Sequence, residues 1–200
     1  MPAPVEFYFD FSSPYGYLAS CCIDERMAAV GREVSWRPYL LGAVYKIIGG
    51  QPLVDIPMKG EYARHDMVRS ARHNGVAFTW PRPFPFMSVA AVRAFYWLEQ
   101  QNPEDAKRLA KAVFRRAFAE GQDVSGAAAV VAVARDVGLD KDGLAAALQD
   151  PSVKDLARAK VDAAIGAGVF GSPYFIVDGE PFWGQDRISD VEEWIRVGGW

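Results

Sequence analysis

Strand-forming sequence occurs only at the two ends of this chain. Residues 4–10, PVEFYFD, are short and rich in aromatic and β-branched types, and read as a buried strand. Residues 33–39, EVSWRPY, read as a second. The next strand signal is Tyr174-Phe175-Ile176-Val177, where Asp178-Gly179 marks a hairpin turn and residues 180–183 form the return strand. A helix is expected over residues 14–30, stopped by Gly31, and another over 188–197. Between residues 41 and 168 nearly everything reads as helix, with segments at 58–74, 87–101, 104–120, 125–137, 141–149 and 151–167. Two stretches interrupt that block: the loop Gly49-Gly50-Gln51-Pro52, and Trp80-Pro81-Arg82-Pro83-Phe84-Pro85, which is too dense in proline for a helix or a central strand.

The order β-α-β, helices, β-β-α is the plan of an α/β, thioredoxin-like fold with a large all-helical insertion. Residues 1–40 and 169–200 then make the thioredoxin-like domain, and 41–168 the helical insertion domain. A chain of 200 residues has room for both. Its net charge of −3 and the lack of a lysine or arginine run point away from nucleic acid. No stretch approaches the roughly 18–20 apolar residues of a membrane helix. The start, MPAPVEFYFDFSS, lacks the basic residues, apolar core and cleavage site of a signal peptide. The two cysteines, Cys21 and Cys22, are neighbours. A bridge between neighbours is strained, so both are expected as reduced thiols in a cytoplasmic protein.

A thioredoxin-type unit does its chemistry where the first strand meets the first helix, because the helix-start amides lack partners there. Redox members place Cys-x-x-Cys at this point. Here Ser13-Pro14-Tyr15-Gly16 occupies it, with the cysteines two turns further on. Disulfide exchange therefore lacks its nucleophile and its resolving thiol. Ser13 before Pro14 is a strong N-cap signal. Its hydroxyl can equally donate to a thiolate arriving from outside, favouring the ionised form. Without a neighbouring base it is a poor nucleophile.

Two further motifs matter. In Gly171-Ser172-Pro173, just before a strand, a cis proline would expose the Ser172 backbone for pairing with a peptide-like ligand; a trans proline would merely start an edge strand. In Trp183-Gly184-Gln185-Asp186-Arg187, Asp186 either caps the last helix or binds an ammonium group while Gln185 and nearby amides take a carboxylate.

Phe9-Asp10-Phe11-Ser12-Ser13-Pro14-Tyr15, Gly171-Ser172-Pro173 and Trp183-Gly184-Gln185-Asp186-Arg187, in this order, resemble the 2-hydroxychromene-2-carboxylate isomerase family. That family is related to kappa-class glutathione transferases and, more distantly, to DsbA. The resemblance spans essentially the whole chain. It implies that glutathione is the cofactor, with Ser13 facing its sulfur, Ser172 and Pro173 pairing with its cysteinyl unit, and Gln185 and Asp186 holding its γ-glutamyl end. It implies a small aromatic carboxylate substrate whose carboxylate meets Lys46 or Lys59, and a homodimer; Arg82 is a third candidate cation. These families usually carry Gly-Asn before the proline-rich loop, whereas this chain has Gly49-Gly50.

The reaction expected is isomerisation by reversible thiolate addition to the substrate. A kappa-like transferase, a DsbA-like disulfide oxidoreductase and a non-catalytic glutathione binder are the competing readings. His65 and His73 are eight apart with no acidic or cysteine partners, so no metal site is expected. Trp80 and Phe84 read as core residues or as the wall of an aryl pocket. Arg64, Arg69 and Arg72 read as a solvated helix face.

Overall fold

Four strands form one mixed sheet in the order β2-β1-β3-β4: β1 (Val5–Phe9), β2 (Val34–Pro38), β3 (Tyr174–Val177) and β4 (Glu180–Trp183). The computed structural model describes residues 2–139 and 143–200. β1 runs parallel to β2, with Phe7 opposite Trp36, and antiparallel to β3, with Phe7 opposite Phe175. Pro38, which offers no amide hydrogen, stands at the end of the edge strand β2, a position that tolerates it.

Alternation along β1 splits the core into two. Val5, Phe7 and Phe9 enter the larger cluster with Trp36, Phe95, Phe114 and Phe175, all buried. Tyr8 points to the opposite face and joins Tyr39, Val44, Val161 and Tyr174. Each fully buried Phe contributes about 1.5–3 kcal/mol by removing its ring from water.

The chain between β1 and β2 is not one helix. It divides into α1 (Pro14–Ser20) and α2 (Ile23–Ala29), with Cys22 outside helical geometry at φ −133°. The Ser20 hydroxyl donates to the Tyr17 carbonyl at 2.7 Å, and the Cys22 amide reaches only the Ala19 carbonyl. Such side-chain back-bonding competes with the helical ladder and ends it. The middle block contains α3 (Leu41–Ile48), a 3₁₀ turn (Leu53–Asp55), α4 (Lys59–His73), α5 (Val89–Glu99), α6 (Pro103–Phe114), α7 (Ala127–Asp136), α8 (Leu144–Ala147) and α9 (Pro151–Gly166). The expected helix 104–120 is α6 followed by a π-helical turn, Arg115–Ala119, whose widened backbone keeps Phe118 buried against Tyr17, Phe78 and Phe86. The segment expected at 141–149 is only partly described: residues 141 and 142 lie outside the described residues, and α8 covers four of the rest. The proline-dense segment 80–85 forms neither helix nor strand. The chain closes with α10 (Ile188–Val197).

Among the described residues, no helix is long and apolar enough to cross a membrane.

Candidate active site

The turn after β1 is closed by the Ser13 amide, which donates to the Asp10 carbonyl at 2.9 Å. Ser13 is extended, at φ −90° and ψ 115°, and Pro14 occupies the first helical position. The Ser13 Oγ accepts the Gly16 amide hydrogen at 3.0 Å, so the serine is a true N-cap. The same hydroxyl donates to the Ser172 carbonyl oxygen at 2.8 Å. Two motifs separated by 159 residues thus meet at one oxygen. The Ser172–Pro173 peptide bond is cis. Ser172 Oγ accepts from the Asp10 amide at 2.9 Å, and the buried Tyr39 hydroxyl donates to the Gly171 carbonyl at 2.6 Å.

Gly16 stands where the second cysteine of a redox motif would be. A Cβ there would lie 3.0 Å from Ser172 Oγ and 3.2 Å from Ser13 Cβ. Any side chain at this position crowds the pair above it. The only two thiols lie elsewhere: Cys21 and Cys22 are free, and burial pushes both thiols above their ordinary pKa.

A cleft of about 1300 Å³ opens beside this pair. Ser13, Ser172, Pro173, Gln185, Asp186, Lys46 and Lys59 all line it. Gln185 and Asp186 stand in a 3₁₀ turn, Gln185–Arg187, between β4 and α10. Asp186 does not cap α10, whose start makes no side-chain cap bond. Its side chain is 74% exposed, with Arg187 only at 3.9 Å. Lys46 projects from α3 and Lys59 begins α4; both are exposed, and among the described residues neither has an ion-pair partner. Arg82 is not among the cleft residues. Trp80 and Phe84 pack on the core and also line the cleft. His65 and His73 are exposed on α4, and among the described residues no cluster of His, Cys, Asp or Glu could hold a metal ion.

Two features of the cleft lie within the first motif, but their partners are not legible from it. Asp10 is 3% exposed, and its carboxylate accepts hydrogen bonds from Ser12, Leu41 and Ser88. Burial raises its pKa above the ordinary aspartate value, against the pull of those donors. Its one sequence signal is a charge directly after the aromatic run Phe7-Tyr8-Phe9. The second feature is Tyr15, whose hydroxyl donates to Asp66 Oδ2 at 2.7 Å, while Arg69 pairs with the other oxygen of Asp66. Burial favours the neutral Asp66, but the Tyr15 and Arg69 bonds outweigh it and lower its pKa. Burial and Asp66 together hold Tyr15 protonated. At Gly50, which lines the cleft, a Cβ would meet the Tyr45 ring at 3.0 Å. The Tyr45 ring thus crowds the space a side chain at position 50 would enter.

Known proteins resemble this chain along nearly its full length. It is 28% identical over 199 residues to a 2-hydroxychromene-2-carboxylate isomerase from Sphingobium xenophagum, covering 98% of this chain and 99% of that one. It is 27% identical over 205 residues to glutathione S-transferase kappa 2 from Caenorhabditis elegans, covering 96% and 91%. Among solved structures, a 2-hydroxychromene-2-carboxylate isomerase superposes with a TM-score of 0.83 at 27% identity, covering 97% of this chain and 94% of that one. The DSBA-like thioredoxin domain matches residues 4–196. With its mixed four-stranded sheet and its serine-proline helix start, the chain belongs to the DsbA-like thioredoxin domain family.

Proposed function

We propose that this protein is a glutathione-dependent isomerase acting on 2-hydroxychromene-2-carboxylate-type substrates. Its product would be the trans-o-hydroxybenzylidenepyruvate type formed in aromatic-compound degradation. The observation that carries the reading is the Ser13 hydroxyl set on the Ser172 carbonyl at the edge of a cleft that also gathers Gln185, Asp186, Lys46 and Lys59. Residues 1–40 and 169–200 act as the thiol-binding unit, and 41–168 supply the acceptor wall. A homodimer and a cytoplasmic location belong to the same reading, on the strength of the family resemblance.

The residues fit glutathione. The Ser172 carbonyl already accepts one hydrogen bond from a partner that can swing away, and Asp186 offers an exposed carboxylate, held among the described residues only by Arg187 at 3.9 Å, for an ammonium group. Single small-molecule sites measure about 300–1000 Å³, so this cleft has room for a tripeptide and a second molecule. Held by Ser13, Ser172, Gln185 and Asp186, glutathione would supply a thiolate for reversible addition to the substrate and would not be consumed.

The protein's part is to bind, orient and hold charge. The Ser13 hydroxyl has one proton, and that proton is engaged by Ser172. A peptide N–H taking the Ser172 carbonyl releases it, and the hydroxyl turns to donate to the sulfur. Pro14 has no amide hydrogen and the Gly16 amide is taken by Ser13, so the Tyr15 amide is the donor left at this helix start. Lys46 or Lys59 meets the substrate carboxylate, and Trp80 and Phe84 meet its ring.

The test is turnover of 2-hydroxychromene-2-carboxylate with and without glutathione. Turnover that needs glutathione and leaves its concentration unchanged supports the proposal. A stable thioether product supports instead the kappa-transferase reading, which the 27% identical nematode relative favours. Turnover without glutathione overturns both.

A further inference from the structure

The Asp10 carboxylate has no part in that chemistry, yet three segments of the cleft converge on it. Its Oδ1 accepts the Ser12 amide at 2.8 Å, the Ser12 hydroxyl at 2.9 Å and the Ser88 hydroxyl at 2.7 Å. Its Oδ2 accepts the Leu41 amide at 2.8 Å. Its own amide and carbonyl hold Ser172 Oγ and the Ser13 amide. Ser12 leads into the serine turn, Leu41 is the first residue of α3, and Ser88 immediately precedes α5. α3 carries Lys46, and the segment before Ser88 carries Phe84 and Met87, which line the cleft.

A buried carboxylate without a cationic partner is costly. All four of its side-chain bonds come from neutral donors. An apolar side chain would fill the space without that cost, but would leave the amides of Ser12 and Leu41 without acceptors. The cost therefore goes with joining segments that the sheet alone does not connect.

We propose that Asp10 is a positioning residue, whose carboxylate fixes the serine turn against the starts of α3 and α5 and so sets the separation between the thiol seat and the acceptor wall. The inference rests on the glutathione reading for what is positioned, but the tether itself can be tested without ligand.

Asp10→Asn keeps the size of the side chain. Its amide has one oxygen and one NH₂, and the NH₂ would face a donor at either the Leu41 or the serine side. The first measurement is hydrogen exchange of the ligand-free protein. The expected result is exchange faster by about tenfold or more at whichever of the Leu41 and Ser12 amides comes to face the NH₂, with the Phe7 amide in β1 unchanged within about twofold. The second is kinetic. With glutathione and substrate both saturating, kcat falls by about tenfold or more, as misplaced reacting groups require, while the glutathione Kd changes by less than about threefold.

Unchanged exchange at both the Leu41 and the Ser12 amides overturns the tether. A loss of kcat accompanied by uniformly faster exchange, or by an equal loss of glutathione affinity, overturns positioning in favour of a merely structural role. Ser88→Ala removes one hydroxyl and serves if Asp10→Asn does not fold. It is expected to lower kcat by about threefold and to leave Leu41 exchange unchanged; an unaltered kcat counts against the proposal. Failure of the wild-type protein to bind glutathione in calorimetry overturns the glutathione reading and the kinetic half of the inference, and the exchange result then decides the tether by itself.

Discussion

The two walls of the cleft are built differently. On one side, residues 10–16 and 171–173 are cross-bonded: Ser13 to Ser172, Ser172 to Asp10, Tyr39 to Gly171. On the other side, α3, the loop after it and the start of α4 present Ile48 and Leu53 to solvent, Ile48 being 58% exposed, together with Lys46 and Lys59, which have no ion-pair partner among the described residues. Buried polar groups demand partners with defined geometry, whereas exposed apolar groups fit many shapes. The first wall is specific before any ligand arrives. The second is permissive, which suits the proposed arrangement of a constant cosubstrate on one side and a variable electrophile on the other.

That contrast is open to attack at several points. Ser13→Ala strikes the specific wall at its centre. Bound glutathione is expected to show a thiol pKa higher by about 1 in ultraviolet titration, and turnover is expected to fall by about 10²-fold, the scale for removing one donor to a developing charge. Folding loses the cap bond from the Gly16 amide and the bond to the Ser172 carbonyl, about 1–3 kcal/mol together. An unchanged thiol pKa would remove the hydroxyl from the chemistry.

Gly16→Ala tests whether that wall is as tight as its distances imply. The added methyl would press on Ser172 Oγ at 3.0 Å and Ser13 Cβ at 3.2 Å. Glutathione binding is expected to weaken by about tenfold in calorimetry, as 1–3 kcal/mol of overpacking would cause. On the permissive wall, Lys46→Ala and Lys59→Ala are compared. One of them should raise KM for the carboxylate substrate by about three- to fivefold, an effect that fades in high salt because both charges are exposed. Neither should alter glutathione affinity. Equal KM values in all three proteins would take the lysines out of substrate binding.

The smallest effect is expected from pH. Asp66 has a lowered pKa, so its bonds to Tyr15 and Arg69 stabilise the fold above the ordinary aspartate pKa, near 4, and are lost as pH falls through the lower folded value. Asp10 has the opposite sign: burial raises its pKa, so its charge costs stability above that raised value, and the cost is relieved as pH falls through it. Thermal melts of Asp66→Asn are expected to lose part of the acid-side decline, and those of Asp10→Asn to steepen it. Identical pH profiles for both variants and the wild type would refute the assignment.

Much of this was legible beforehand, and the misses have local causes. β3, β4 and α10 fall at the expected residues because alternation and a hairpin turn signal are short-range properties. The break at Cys21 and Cys22 was missed because Ser20 and the cysteines carry no glycine or proline warning; the Ser20 hydroxyl ends the helix by bonding backward. The π-helical turn at Arg115–Ala119 was missed because a one-residue widening leaves the apolar pattern almost intact. Asp10 is legible as part of a motif but not as a hub, since its partners lie at positions 12, 41 and 88.

By itself, the sequence determined the order of elements, the serine at the head of α1 and the absence of a Cys-x-x-Cys pair there. These are matters of residue type and local period, which the chain carries along its length. Only the tertiary structure decided that the Ser13 hydroxyl rests on the Ser172 carbonyl, that Asp186 leaves α10 uncapped, and that a buried carboxylate ties the strand end to two helix starts. Those are contacts between residues distant in sequence, set by how the sheet brings its two ends together, and no local pattern encodes them.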